Sequence, residues 1–485
     1  MKKYNLLLIV LSSLLIFSCG KNYLETIPSA SVDQKDMLSS LTGVETVLDG
    51  INRGTFYYYG AHDRFGQKTM DYIIDCLGED FYPTEDGYGW FVAWYKWIEH
   101  RSKNSGNLEF VWAYYYDIIN NANLIIDNLE KMPVLVTEEN KKSVLLAQAY
   151  TYRGYSLYYL VQLFGEKGNG VPVPTKSNPE PMARETVAKV YEQINKDLNH
   201  AVQLFDQGQN LARKNVSQIN KSVANAIRAR VALTEGRWGD AANYAALAKK
   251  GFSLSEDYMY GWNKANSEWI WGALLIDEQQ TSYASFFSHI DPFFGGYCTL
   301  GNHHVMSKEL FDFLPAMDTR KLLHQPELFF PPSYLSNYFG NKARVGFKFT
   351  GMGDWTNDYI YIKAGEMYLI EAEAYARLGN APLAQKAIND LNLARTYADA
   401  KPDYEPITST GDELLQTILM YRRAELWGDG QRFLDIKRLG LNMSGREGQP
   451  LAEQTATIQA GDKMFTFLIP QQEMDSNPNM IQNEL

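Results

Sequence analysis

The sequence predicts a predominantly α fold, built of paired antiparallel, tetratricopeptide-like helical hairpins with a loop-rich, aromatic insertion. Three observations predict it. In Tyr359–Arg395, Met367, Ile370, Ala374 and Leu378 share one helical face, and Ala384, Ala387 and Leu391 form the stripe of a second helix. Gly379 supplies positive φ where the first helix ends, and Pro382 suits the first turn of the next. Ala229, Gly236 and Ala241 repeat the intervals of Ala372, Gly379 and Ala384, so a second hairpin is expected near 222–251 beside the one near 359–395. Between the two, over about 252–353, helical period gives way to Gly, Pro and aromatic residues. Small side chains at these intervals let helices approach closely, as in tetratricopeptide-like hairpins, here interrupted by an insertion.

Taken from the start, Lys2 and Lys3 precede an apolar run from Leu6 to Phe17 that ends in Ser18, Cys19 and Gly20. That run is a secretory signal, too short to span a bilayer comfortably. Residues 1–18 are expected to be removed, leaving 19–485 as a single domain. No later stretch is long and uncharged enough to suggest a membrane span. Loss of Lys2 and Lys3 takes the formal net charge from −11 to −13, which argues against general affinity for nucleic acid. Cys76 and Cys298 either pair or remain separate thiols; spacing does not choose.

Helices are expected over Thr42–Tyr59, Lys68–Leu77, about Glu109–Lys131, Leu145–Phe164 and Arg184–Phe205. From Gly78 to Asn107 neither period holds, and this stretch carries Tyr82, Tyr88, Trp90, Trp94 and Trp97 among glycines. An aromatic face packs on the apolar face of a pyranose while nearby polar groups bond its hydroxyls. The competing reading is that Trp90, Trp94 and Trp97, at helical spacing, fill a core. In the insertion, Trp269 and Trp271 suggest a short strand, and Phe293 and Tyr297 fall in a loop.

Catalytic chemistry finds little support. Glu79 with Asp80, Glu85 with Asp86, and Glu371 with Glu373 are sequence neighbours, whereas a glycosidase needs two carboxylates set apart across a cleft. His303, His304 and Glu309 lack a zinc spacing and read as a surface group. The acidic loop Asp75–Asp86 lacks the ordered ligands of a calcium loop. No phosphate loop, dinucleotide fingerprint or nucleophile elbow occurs, so no cofactor and no metal is expected.

Several segments in order resemble the SusD/RagB family of outer-membrane nutrient-binding lipoproteins. They are the lipobox-like run to Cys19 with NYLETIP, WAYYYDIINNANLIIDNL, AQAYTYRGYSLYYLVQLFG with GVPVP, YIKAGEMYLIEAEAYARLG, YRRAELWGDGQRFLDIKRLG and IPQQEMDSNPNMIQN. Phe17 is bulkier than usual in a lipobox, and the chain ends in NEL where relatives often close on an aromatic. The resemblance implies lipidation at Cys19, exposure at the cell surface, and no catalysis. It also implies capture of a glycan for a SusC-like TonB-dependent transporter, with the helical hairpins facing that partner and the loop-rich, aromatic side facing the ligand. The expected ligand-binding residues are Tyr82, Tyr88, Trp90, Trp94, Phe293, Tyr297 and Trp355. A peptide or other nutrient held the same way, an anchored glycoside hydrolase and an envelope scaffold are the alternatives. Arg422, Arg423, Glu425, Arg432 and Asp435 are read as scaffold ion pairs.

Overall fold

The computed structural model describes residues 37–208, 211–293, 295–333, 335, 343–353, 355–452 and 456–485. The signal segment and Cys19 lie outside the described residues. The elements that position the site run as helices α1 (Leu41–Gly54) and α2 (Gln67–Cys76), strand β1 (Phe81–Pro83), then α3 (Gly106–Leu129), α4 (Glu139–Phe164) and α5 (Val187–Gln207). There follow α6 (Lys221–Thr234), α7 (Trp238–Lys249), β2 (Trp269–Ala273), α8 (Phe286–Ile290) and β3 (His304–Met306). The chain closes through β4 (Tyr359–Lys363), α9 (Ala364–Arg377), α10 (Ala381–Arg395), α11 (Gly411–Glu425) and α12 (Arg432–Leu439).

Helix starts are set by side chains that bond the free amides of the first turn. Ser40 accepts from Gly43, Ser105 from Asn107 and Leu108, Thr186 from Lys189, and Asn220 from Val223. At the close of α9, Gly379 takes φ 74°, and Pro382 enters the first turn of α10. The long helices pack in chain order, α3 on α4, α4 on α5, α5 on α6 and α6 on α7. Gly154 permits the α4–α5 approach, because a Cβ there would stand 3.0 Å from Leu198.

The array resumes across the insertion: α7 packs directly on α9, which also meets α10 and α11. Ala241, Ala245, Ala372 and Ala374 are fully buried in these helices. The insertion is closed at its neck by β2 and β4, which pair antiparallel with Trp269 opposite Lys363 and Ala273 opposite Tyr359. Tyr359–Lys363, the beginning of the second hairpin segment, is therefore strand before it becomes helix.

Behind that neck lies a buried ionic lattice. Arg395 bonds Glu425 and Glu268, and Lys363 bridges Glu425 and Asp429. Arg422 and Arg438 both hold Asp435 at 2.7 Å, and Arg423 holds Asp80 at 2.7 Å. Arg432 bonds Glu79, with Nε at 3.0 Å. Glu373 is fully buried against Arg438, and Glu371 pairs with Lys249. Asp75 accepts amide bonds from Gly430, Gln431 and Arg432. These carboxylates thus tie the insertion and the α11–α12 corner to the array.

One local expectation changes and one open alternative is settled. His303 and His304 are not on the surface: each is 2% exposed, and His304 sits in β3 under Phe81, with which it stacks at 4.4 Å. Pairing with β1 pulls this dipeptide inward. Cys76 and Cys298 are separate buried thiols.

Candidate functional site

The β1–β3 ladder builds the site. Tyr82 stands opposite Val305 and Pro83 opposite His304, and Thr84 continues the ladder by donating to the His303 carbonyl at 2.9 Å. The loop after β1 is thereby held beside the loop before β3. Gly89 donates to the Asp86 carbonyl at 2.7 Å, and Gly87 and Gly89 take φ 52° and 81°, a tight reversal that most residues resist. Tyr88 and Trp90 project from that reversal.

Tyr297 comes from the opposing loop, whose start is fixed by two bonds to Ser288. The Tyr297 amide reaches Oγ at 3.2 Å and the Cys298 amide reaches the carbonyl at 2.8 Å. The connection between α1 and α2 adds Tyr58 and His62. These rings make one connected surface. Tyr297 lies 5.3 Å from Tyr88, 5.6 Å from Trp90, 5.7 Å from His62 and 5.4 Å from Tyr283 between centroids. His62 stacks on Trp90 at 5.8 Å, Tyr58 meets His62 at 6.2 Å, and Tyr283 meets Trp355 at 5.7 Å.

Tyr88, Tyr283 and Tyr58 are exposed; Trp90, His62, Tyr297 and Trp355 are half-buried. Such a surface offers ring faces together with hydroxyl and imidazole groups at their edges. His62 Nδ1 and the Tyr297 hydroxyl share a 2.6 Å hydrogen bond that fixes both rings. Below them His289 is fully buried and stacks on Tyr297 at 5.0 Å. Burial pulls its imidazole down to about 3, so the ring is neutral. Glu85 and Asp86 are exposed on the rim.

The structure brings together four of the seven aromatic candidates, Tyr88, Trp90, Tyr297 and Trp355. Trp94 is not among them. It is 1% exposed and packs on Phe467 at 5.6 Å, because the single turn Val92–Tyr95 rotates it into the core. Tyr82 is likewise 6% exposed, and its hydroxyl accepts from Arg344, since strand alternation turns it away from the platform. Phe293 is exposed but belongs to a separate cluster with Phe330 at 5.0 Å and Phe347 at 5.2 Å. Asp291 directs it there by bonding the Phe293 amide with Oδ1 and the Gly351 amide with Oδ2.

Tyr58, His62 and Tyr283 were missed. The run Tyr57–Tyr58–Tyr59 followed by Gly60, just past a helix end, carried a usable signal for the first of them.

Deeper concavities lie elsewhere. One of about 490 Å³ is lined by Glu45, Lys141, Phe205 and Lys214, and one of about 430 Å³ by Trp112, Tyr116, Pro172 and Pro181. Neither gathers the exposed ring faces found at the platform.

The family model described as starch-binding associating with outer membrane matches residues 33–233, and the SusD family model matches residues 336–485. The SusD-like protein P2 of Formosa agariphila is 24% identical over 427 residues, spanning 78% of this chain and 81% of its own. A SusD-like carbohydrate binding protein from Bacteroides vulgatus superposes with a TM-score of 0.78 at 22% identity, covering 92% of this chain and 98% of that one. A SusD superfamily protein from Bacteroides thetaiotaomicron gives 0.74 at 25% identity, covering 92% and 100%. Surface glycan-binding protein A from the same organism gives 0.72 at 16% identity, covering 93% and 100%.

Proposed function

The chain belongs to the SusD/RagB family, and we propose that it is a surface lipoprotein that captures a glycan and delivers it to a SusC-like TonB-dependent transporter. Capture is by stacking and hydrogen bonding, with no covalent change to the sugar. Cys19 is the lipid-bearing residue, anchoring a body that does not itself span the membrane. The observation that carries the reading is the connected ring surface of Tyr88, Trp90, Tyr297, Tyr283 and Trp355. Names of relatives support it: one is called carbohydrate binding and another surface glycan-binding.

The carboxylate pairs weighed for hydrolysis favour binding over catalysis. Asp80, Glu79, Glu371 and Glu373 are tied to Arg423, Arg432, Lys249 and Arg438 as ion-pair partners, and Glu85 and Asp86, exposed on the rim, are adjacent on one loop and not set apart across a cleft.

The test is migration of the protein, begun after Cys19, through native gels containing each of a panel of polysaccharides. Retardation by a glycan, reduced when Trp90 becomes alanine in a folded protein, supports the reading. Binding of peptides and of no glycan would replace the ligand class, and a shortened glycan would make the protein an enzyme.

A further inference from the structure

Beneath the platform several buried polar atoms on neighbouring side chains lack a hydrogen-bond partner among the described residues. His289 Nε2 stands 2.9 Å from the His62 carbonyl, which can only accept, so Nε2 carries the proton. A neutral ring in that tautomer has a bare lone pair on Nδ1. Among the described residues that nitrogen has no hydrogen-bond partner, and neither has the indole N–H of Trp90. Both atoms are buried, as is the equally unpartnered Oδ1 of Asn302. Asn302 is placed beside them, with Nδ2 3.4 Å from the Trp90 carbonyl. The rings of Trp90 and His289 stand edge to face at 6.5 Å, and Tyr297 lies against both, at 5.6 and 5.0 Å.

An unmade bond at a buried donor or acceptor is expensive, and a ligand that completes it is recognised strongly. The chemistry of the pair defines the ligand group. It must accept from Trp90 Nε1–H and donate to His289 Nδ1, which a hydroxyl does with a single oxygen. An amide carbonyl meets only the first need, and a carboxylate turns a lone pair toward a lone pair.

The Tyr297 ring lies against both of these rings, and one feature lets it move. Its hydroxyl is latched by one bond, to His62 Nδ1, while its backbone stays bonded to Ser288, so the ring turns about its own side-chain torsions once that bond is released. We propose that Tyr297 is a hinged cover over a hydroxyl-recognising subsite formed by Trp90 Nε1–H and His289 Nδ1, which reads one sugar hydroxyl of the captured glycan. The subsite rests on the platform being a glycan site, and it adds a selective contact to stacking that any pyranose satisfies.

The experiment is nitrogen-15 NMR of the indole and imidazole groups, with Trp90→Phe used to assign the Trp90 signal and a glycan retained in the gel panel as probe. On binding, the Trp90 indole proton should move downfield and exchange more slowly with water, and the His289 Nδ1 signal should move in the direction of an accepted bond. A glycan that is retained while both signals stay put overturns the subsite and leaves the platform standing. Failure of every glycan to bind removes the platform and the subsite together.

A second variant reads the cover. Tyr297→Phe keeps the ring and loses the latch, so association with the same glycan should be roughly three- to tenfold faster, the worth of one hydrogen bond. Association at an unchanged or slower rate would show that Tyr297 is a fixed stacking surface.

Discussion

Replacing Tyr88 by alanine separates ligand contact from stability more cleanly than any other change on the platform. The residue is 67% exposed and stands between Gly87 and Gly89 on a loop, so little of its side chain supports the fold. Surface changes of that kind shift stability by about 0.5 kcal/mol or less. Its ring presents one free face, the other edge meeting Tyr297 at 5.3 Å. A tyrosine buries about 200 Å² when fully covered. Two-thirds of that is open here, and a sugar on one face covers about half of the open part, or roughly 65 Å². At about 25 cal/mol per Å² the contact stabilises the complex by about 1.6 kcal/mol, or roughly 15-fold in Kd. The assay is calorimetric titration with a retained glycan, paired with thermal denaturation of the free protein. An affinity change below about twofold would refute the placement of the ring under the ligand. A fall in Tm of several degrees would refute the claim that the loop carries no structural load.

Trp94→Ala should behave in the opposite way, losing about 3–5 kcal/mol of stability by denaturant titration, because it empties a core site beside Phe467. Substituting Trp90 and Trp94 together would therefore confound binding with folding. Glu425→Gln should cost about 3–5 kcal/mol in the same measurement, since it leaves Arg395 and Lys363 buried without their shared anion. Asp435 gives a pH signature: burial works to raise its carboxyl, but Arg422 and Arg438 overcome that and hold it at about 2. A depressed acid stabilises above its unfolded value and loses that contribution as pH falls through the folded one. About 2 kcal/mol should thus disappear between roughly pH 4 and pH 2, and Asp435→Asn should flatten that part of the stability profile.

Where the sequence was legible, one local signal sufficed. Gly379 with Pro382 marks a helix end and the next start whatever surrounds them, and the structure puts φ 74° and a helical first turn there. The alanine intervals foretold close helix packing because only small residues permit it, and buried Ala372 and Ala384 lie in adjacent helices. The platform was only half legible, for a physical reason. Trp90 and Trp94 are alike in type and four residues apart, yet one is half-buried among the platform rings and the other is fully buried against Phe467. What separates them is a reversal at Gly87–Gly89 followed by a single helical turn, and neither has a period long enough to read.

His62 illustrates the same limit from the other side. It joins the site through a 2.6 Å bond to Tyr297, 235 residues away, and that closeness is made by the β1–β3 pairing and the packing of α2 beneath it. No local pattern announces such a contact. On the proposed reading, selectivity falls to polar groups brought in by tertiary structure, whereas the stacking rings are visible as composition. A sequence reading can therefore propose a class of ligand from its rings before it can propose which group on the ligand is recognised, and the unpaired atoms of Trp90 and His289 are where that second question becomes specific.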